Sequence, residues 1–507
     1  MKNESRTKNS FFNITSNFTI MMIKTILSFV TRTVFIKVLG ETALGLNGLF
    51  SNILSMLSLA ELGIGTAINF SLYKPLANKD DKKVSILMSF YRKVYSIVGT
   101  VEFIIGIALI PFLKYFIKNI NEINNVYLIY ILYLINTSSS YFIAYKETLI
   151  NADQKGYKLI KINILGLVFL NISQIIFLLL TKNYIIYLVV QFIEQFIQRI
   201  ITNIYISKQY KNIDFKSRDK LANEDKSLIV KNVKAMFFHK IGDYCVNGTD
   251  NIIISSFINI ATVGIYSNYL MIINLLNGFV TNAFNAITSS LGNLIATENC
   301  EKRDEIFKKL NFIAFLLYGF CSVCLINLLS PFMGLWIGDK YCLNISLTII
   351  IVCNFYLTGM RVPVQVMKSA SGLYDVDKFT PLIQSAVNLV VSIILAKKIG
   401  LLGVLLGTMF SSLVLPCWQR PYLVYKYVIH KSSKKYFMNY IRYLITVACC
   451  TILAYFININ ISINNLLIRL IADGLISSII FIIIVIILFN KTREFKYLVT
   501  FFRRRKG

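Results

Sequence analysis

The sequence predicts an all-α polytopic membrane protein of about 14 transmembrane helices: two six-helix bundles in a parallel pseudo-two-fold repeat, plus two C-terminal helices. Three observations predict it. Apolar stretches long enough to cross a bilayer fill the 507 residues almost from end to end. Lysine and arginine collect in every second gap between those stretches. Two blocks of sequence also recur at one ungapped offset.

In chain order the stretches centre near residues 25, 57, 103, 138, 170, 195, 247, 280, 320, 352, 388, 412, 448 and 477, each about ±4. Hydrophobic residues make up 56% of the chain and charged ones only 15%, with a mean hydropathy of +0.62, outside the usual soluble range. The apolar run from Phe11 continues into a full-length span without a small-residue cleavage site, so it reads as the first helix and not as a signal peptide.

The formal charge of +28 invites a nucleic-acid reading, and its placement argues against one. Alternation puts residues 1–10, 71–93, 151–161, 207–235, 297–309, 368–380, 426–438 and 491–507 on one side. These gaps hold about 37 Lys and Arg, against roughly 5 in the other seven, an asymmetry that marks the cytoplasmic face. Both termini are therefore expected in the cytoplasm, with the chain in the plasma membrane. The charge orients the protein and attracts anionic lipid, so membrane lipids are expected partners and nucleic acid is not.

Nine cysteines lie mostly inside the spans. Cys321 and Cys324 form a CxxC pair with no second ligand pair nearby, and His239 and His430 are the only histidines, so no metal centre is expected and small apolar packing explains the cysteines better. No paired carboxylates or histidine-based constellation lie outside the lipid, and the external gaps are short. A membrane-embedded polymerase or acyltransferase, which needs an external catalytic loop, is disfavoured.

Residues 48–54 read GLFSNIL and residues 264–270 read GIYSNYL. The same offset of 216 carries residues 90–93, FYRK, onto 306–309, IFKK, and Lys24 onto Lys240. A repeat of six spans enters twice from the same side, which makes it parallel. The expected domains are residues 1–210, 211–435 and 436–507, the last holding two further spans and a basic, partly amphipathic tail at the inner lipid surface.

Charged and polar residues inside the spans need partners or a water-filled cavity. Helical spacing groups Asn17, Lys24, Ser28 and Arg32 on the first span, and Ser58, Glu61 and Gly65 on the second. It groups His239, Asp243, Asn247 and Asp250 on the seventh, and Asn274, Asn277, Thr281, Asn285 and Thr288 on the eighth. The tenth carries Asn354, Thr358, Arg361 and Gln365. These stripes are expected where two bundles face one wet cavity. The alternatives are snorkelling at the mouth for His239 and Lys240, interhelical glue for the asparagines, and a structural ion pair for Arg32 and Glu61. Asp250 lies about 20 Å along its helix and is the clearest candidate for a cavity or ion-coupling role.

The stretch RTVFIKVLGETALGLNGLFSNILSMLSLAELGIGTAI, Arg32 to Ile68, resembles the first two helices of bacterial oligosaccharide flippases. These polysaccharide-biosynthesis transporters belong to the superfamily that also holds toxin-extrusion multidrug exporters and the lipid II flippase. SLYKPLANKDDKK at 71–83, HKIGDYCVNGTDNIIIS at 239–255 and NFYLTGMR at 354–361 are similar to the same family, and the likeness runs from about residue 5 to 430. SGLYDVDKF at 371–379 departs from the family's corresponding loop.

The resemblance implies a carrier of undecaprenyl-diphosphate-linked oligosaccharide, moved from the inner to the outer face by alternating access. Arg32 and Arg361, with Lys24 in reserve, would meet the diphosphate, because arginine's planar fork suits phosphate oxygens. Glu61, Asp243, Asp250, Asn285 and Asn354 would supply the remaining polar cavity groups. The acids among them would pair with the arginines or bind a coupling ion. No cofactor is implied beyond a proton or sodium gradient or the membrane potential. A glycan polymerase and glycosyltransferases of the same pathway are implied partners. An exporter of cationic drugs is the nearest rival, but it calls for an acid-dominated cavity.

Overall fold

The computed structural model describes residues 6–58, 64–219, 221–373, 375–377, 379–461 and 463–504, with the side chains of 6–11, 13, 14, 17, 66, 67, 144, 228, 231, 232, 234–247, 289, 375 and 501–504 outside the description. Among the described residues every regular element is helical and no strand occurs. That is the outcome a bilayer imposes on a chain of spans, since each helix satisfies its own backbone hydrogen bonds. Two units can be separated by packing, Met1–Ile265 and Tyr266–Gly507. Residues 211–265 thus pack with the first unit.

The first unit runs α1 (Arg6–Leu57), α2 (Ile64–Ala77), α3 (Asp81–Leu109), α4 (Leu113–Phe116), α5 (Val126–Ala144), α6 (Glu147–Ala152), α7 (Ile160–Thr181), α8 (Tyr184–Gln209) and α9 (Asn223–Phe257). It closes on the first residues of α10 (Ile260–Ala286). Gly40, at φ 78° and ψ −173°, turns α1 in the middle, a conformation that only glycine adopts without strain. α1 packs on α5, α7 and α9; α3 packs on α5, and α8 on both α5 and α7.

The second unit continues through α11 (Thr288–Thr297), α12 (Cys300–Ile337), α13 (Ile345–Gly359), α14 (Val362–Ala370), α15 (Thr380–Ile399), α16 (Leu401–Val414), α17 (Pro416–Val424), α18 (Lys434–Ile459), α19 (Leu466–Phe489) and α20 (Arg493–Arg504). α12 is its central post, packed by α13, α18 and α19. Phe315 stacks on Tyr443 at 4.4 Å and meets Phe489 at 5.3 Å, so the two C-terminal spans dock through aromatic rings.

Twelve candidate spans occur among the described residues, against the fourteen expected. The expected centre near 57 falls at the end of α1, which counts once although Gly40 turns it. The centre near 247 falls on α9, whose side chains are largely outside the description.

Gaps assigned to one side meet on that side within each unit. In the first, Lys83 pairs with Asp225 at 3.0 Å, and the Asp214 amide donates to Ser85 Oγ at 2.9 Å. The Tyr210 hydroxyl donates to Asp153 at 2.7 Å. At the other end of the helices, the Lys118 amide donates to the Ser255 carbonyl at 3.2 Å. In the second unit, a groove of about 1150 Å³ gathers Lys302 and Lys308 of α12, Lys434 and Lys435 of α18, and Arg493 of α20.

One crossing brings backbone against backbone. A Cβ on Gly45 of α1 would stand 1.9 Å from the Ile260 carbonyl oxygen, and one on Gly264 of α10 would stand 2.2 Å from that of Glu41. Small residues permit such approaches between membrane helices. Gly45→Leu or Gly264→Leu is expected to destabilise the protein by about 1–3 kcal/mol or more through overpacking. Gly248→Ala, whose Cβ would only touch Met56 Cγ at 3.6 Å, should leave stability unchanged or slightly raised. Thermal unfolding of the three variants in detergent checks the contrast.

Candidate functional site

Arg32 lies half-buried on α1, within electrostatic reach of the Tyr187 hydroxyl on α8. Hydroxyl and amide groups lie beside Arg32. Thr31 donates to Asn171 Oδ1 at 2.6 Å, Asn171 returns its amide to the Leu167 carbonyl at 2.7 Å, and Tyr187 bonds Gln174. Helices α1, α7 and α8 are therefore held by amide and hydroxyl groups around the arginine. Lys24, two turns earlier, is exposed. Glu61 and the side chain of Asp243 lie outside the described residues, so the predicted Arg32–Glu61 pair does too. Asp250 is buried on α9 at 8% exposure, flanked by buried Thr249 and Asn251.

In the second unit the tenth span, Ile345–Ala370, turns at residues 360–361, both of which keep right-handed helical backbone angles. α13 ends at Gly359 and α14 begins at Val362, with Arg361 as its N-cap. Asn354 gives its amide to the Leu405 carbonyl of α16 at 3.0 Å, so it ties two helices together. Arg361 donates to Thr358 Oγ1 at 3.1 Å, and Thr358 and Gln365 are exposed. On α10, Asn274 and Asn285 are exposed and Thr281 is half-buried. Asparagines serving only as glue would be buried between helices.

Three groups escaped sequence reasoning. Glu102 on α3 is 1% exposed, with Oε1 3.4 Å from Ser58 Oγ and Tyr130 beside it. The clue was legible: a lone acid in the run VEFIIG. Arg199 on α8 donates to the Asn136 carbonyl at 3.2 Å and to Gln195 at 3.2 Å. The third group is Lys368, Asp377 and Arg420. Lys368 and Asp377 pair at 3% and 1% side-chain exposure, and Arg420 Nε stands 3.6 Å from the same carboxylate. Cys417 lies within electrostatic reach of both Arg361 and Arg420, which places a second cation near the predicted one. No metal-holding group of His, Cys, Asp or Glu occurs among the described residues.

Asp377→Asn removes a buried counter-charge from Lys368 and Arg420, so a loss of about 3–5 kcal/mol is expected. The double change Lys368→Met with Asp377→Leu should recover most of it. Chemical or thermal unfolding of the single and double variants measures the coupling.

A family model described as polysaccharide biosynthesis protein matches residues 10–288, more than half of the chain. No curated protein sequence gives a significant match. Among solved structures, a lipid II flippase MurJ in its inward closed conformation superimposes with a TM-score of 0.68 at 15% identity, covering 95% of this chain and 99% of that one. An inward-facing multidrug resistance MATE family transporter of the MOP superfamily gives 0.61 at 16% identity, covering 80% and 97%. A MOP superfamily transporter from Pyrococcus furiosus, whose binding pocket is described as reversed in polarity, gives 0.53 at 15%, covering 85% and 98%. These likenesses establish the fold. The chain is a multi-pass membrane protein with the MOP-transporter fold, and it belongs to the polysaccharide biosynthesis protein family.

Proposed function

We propose that this protein is a flippase, not an enzyme, that carries undecaprenyl-diphosphate-linked oligosaccharide from the inner to the outer face of the plasma membrane by alternating access. The observation that carries the reading is the chemistry around its intramembrane cations. Arg32 and Arg361 are half-buried among hydroxyl and amide groups, with open asparagines on α10. A diphosphate asks for cations and sugars ask for neutral donors and acceptors. A site for cationic drugs would ask for the reverse polarity. Membership of a polysaccharide biosynthesis family supports the glycan as cargo.

In this reading Arg32 and Arg361 contact the diphosphate and Lys24 lies on its path. Asp250, Asp243, Glu61 and the newly found Glu102 are the candidates for a coupling proton or sodium ion. Asn285 lines the sugar path, while Asn354 holds α13 to α16. Glycosyltransferases and a polymerase are the partners that would supply and consume the cargo.

We also infer an internal duplication, and several structural features support a spacing of 219 residues. Gly264 follows Gly45 by 219, and Ile260 follows Glu41 by 219, so the glycine crossing is reciprocal. The starts of α3 and α12, and of α5 and α13, are also 219 apart.

Arg32→Ala and Arg361→Ala should each lower surface glycan at least about tenfold while the protein still reaches the membrane, because each removes a phosphate partner. Full surface glycan in both would refute the assignment. For orientation, Lys82→Cys in a cysteine-free background should react with an impermeant maleimide only after permeabilisation. Labelling of intact cells would invert the topology.

A further inference from the structure

Lys146 stands in the turn between α5 and α6, outside the candidate spans. Its ammonium donates to Ser207 Oγ at 2.7 Å and lies 4.4 Å from the centre of the Phe215 ring and 5.9 Å from that of Tyr145. Ser207 gives its own proton to the Asn203 carbonyl at 2.8 Å, so its oxygen is free to receive the lysine. Phe215 and Tyr145 pack at 6.3 Å, making an aromatic shelf beneath the ammonium. The lysine is thus held in place, unlike a surface lysine that wanders in solvent.

Lys216 follows Phe215, whose ring lies beneath the ammonium, and Arg92 of α3 follows Tyr91, whose hydroxyl accepts from Thr148, two residues after Lys146, at 3.2 Å. Both cations act on Lys146. Burial first, then these two like charges, hold the Lys146 ammonium below the ordinary lysine range. Arg92 also acts on Tyr145. Elsewhere the fold supplies acids: Lys302 and Lys309 have Glu305, Lys308 and Lys431 have Asp304, and Lys368 has Asp377. None of Arg92, Lys146 and Lys216 enters an ion pair among the described residues. Two acids lie close in sequence. Asp214 accepts the Lys216 backbone amide at 2.8 Å, and Glu147 acts on Arg199.

Folding has therefore gathered three like charges from three distant stretches and left their compensation to something else. We propose that Arg92, Lys146 and Lys216 form a binding site for a phosphate group, free in solution or borne on a lipid head group. The site lies at the end of the first unit where residues 71–93, 151–161 and 207–235 meet. It is separate from Arg32, Arg361 and Lys24. Arginine offers a planar fork to phosphate oxygens and lysine a mobile point charge, the usual pairing in phosphate sites. The inference does not depend on the transport reading.

The test is calorimetric titration of inorganic pyrophosphate, at constant ionic strength, into the purified full-length chain. Saturable binding is expected in the wild type, weakened at least about tenfold in Lys146→Met and in Lys216→Gln and unchanged in the charge-matched surface variant Lys398→Gln. Gel filtration reports folding, and Lys216→Gln, on an exposed side chain, decides the matter if Lys146→Met misfolds. Absence of wild-type binding, or wild-type affinity in folded Lys216→Gln, overturns the site. Repeating the titration in phosphatidylcholine nanodiscs with and without phosphatidylglycerol separates the sources. Competition by the anionic lipid assigns the site to head groups, and its absence assigns it to soluble or cargo phosphate. Because binding is read without transport, failure of the proposed cargo would leave this result standing.

Discussion

A charge taken out of water costs free energy unless polar groups compensate it, and in each unit buried charges draw helices together. Arg199 of α8 gives its guanidinium to the Asn136 carbonyl of α5 and to Gln195 one turn earlier on its own helix. Lys368 and Arg420 close on Asp377, pinning the loop after α14 against α17. Asp304 gathers Lys308, Lys431 and the Tyr425 hydroxyl, tying α12 to the π-helical turn that follows α17. Arg199 draws helices together within a span, whereas the Asp377 and Asp304 pairs lie in the basic gaps and fix which helices touch at the span ends. Thr31 and Asn171 stand beside Arg32, and Arg361 donates to the Thr358 hydroxyl. Arginine's planar fork suits phosphate oxygens, which is the physical reason to read both as cargo contacts.

Much of the fold was legible because a bilayer restricts the possibilities so severely. Hydropathy located the helices, and the gaps that alternation placed together do meet within each unit. What hydropathy could not show is where a helix turns without leaving the apolar run. Gly40 reads as one more small residue, yet its positive φ divides α1. The turn at residues 360–361 stands just before Pro363, the one sign of it in the sequence.

The repeat shows a related limit. Matching GLFSNIL to GIYSNYL gives an offset of 216, whereas the reciprocal glycine contacts and helix starts give 219. The difference is close to one helical turn, which brings similar residues back to the same face. Sequence similarity alone cannot resolve a slip of that size. The loop SGLYDVDKF marks the opposite case: a weak match to its family whose Asp377 nevertheless forms a buried ion pair. The partners of that pair are spread over residues 368–420, beyond the reach of any local motif.

The central claim is that this chain moves a diphosphate-linked glycan across the bilayer. Reconstitution tests it most directly. Purified protein in sealed vesicles, with undecaprenyl-diphosphate-linked oligosaccharide initially in the inner leaflet, is followed by an impermeant lectin or glycosidase outside. The account predicts that glycan becomes accessible much faster than in protein-free vesicles. Equal rates with and without the protein, under an imposed proton or sodium gradient or a membrane potential, would contradict it.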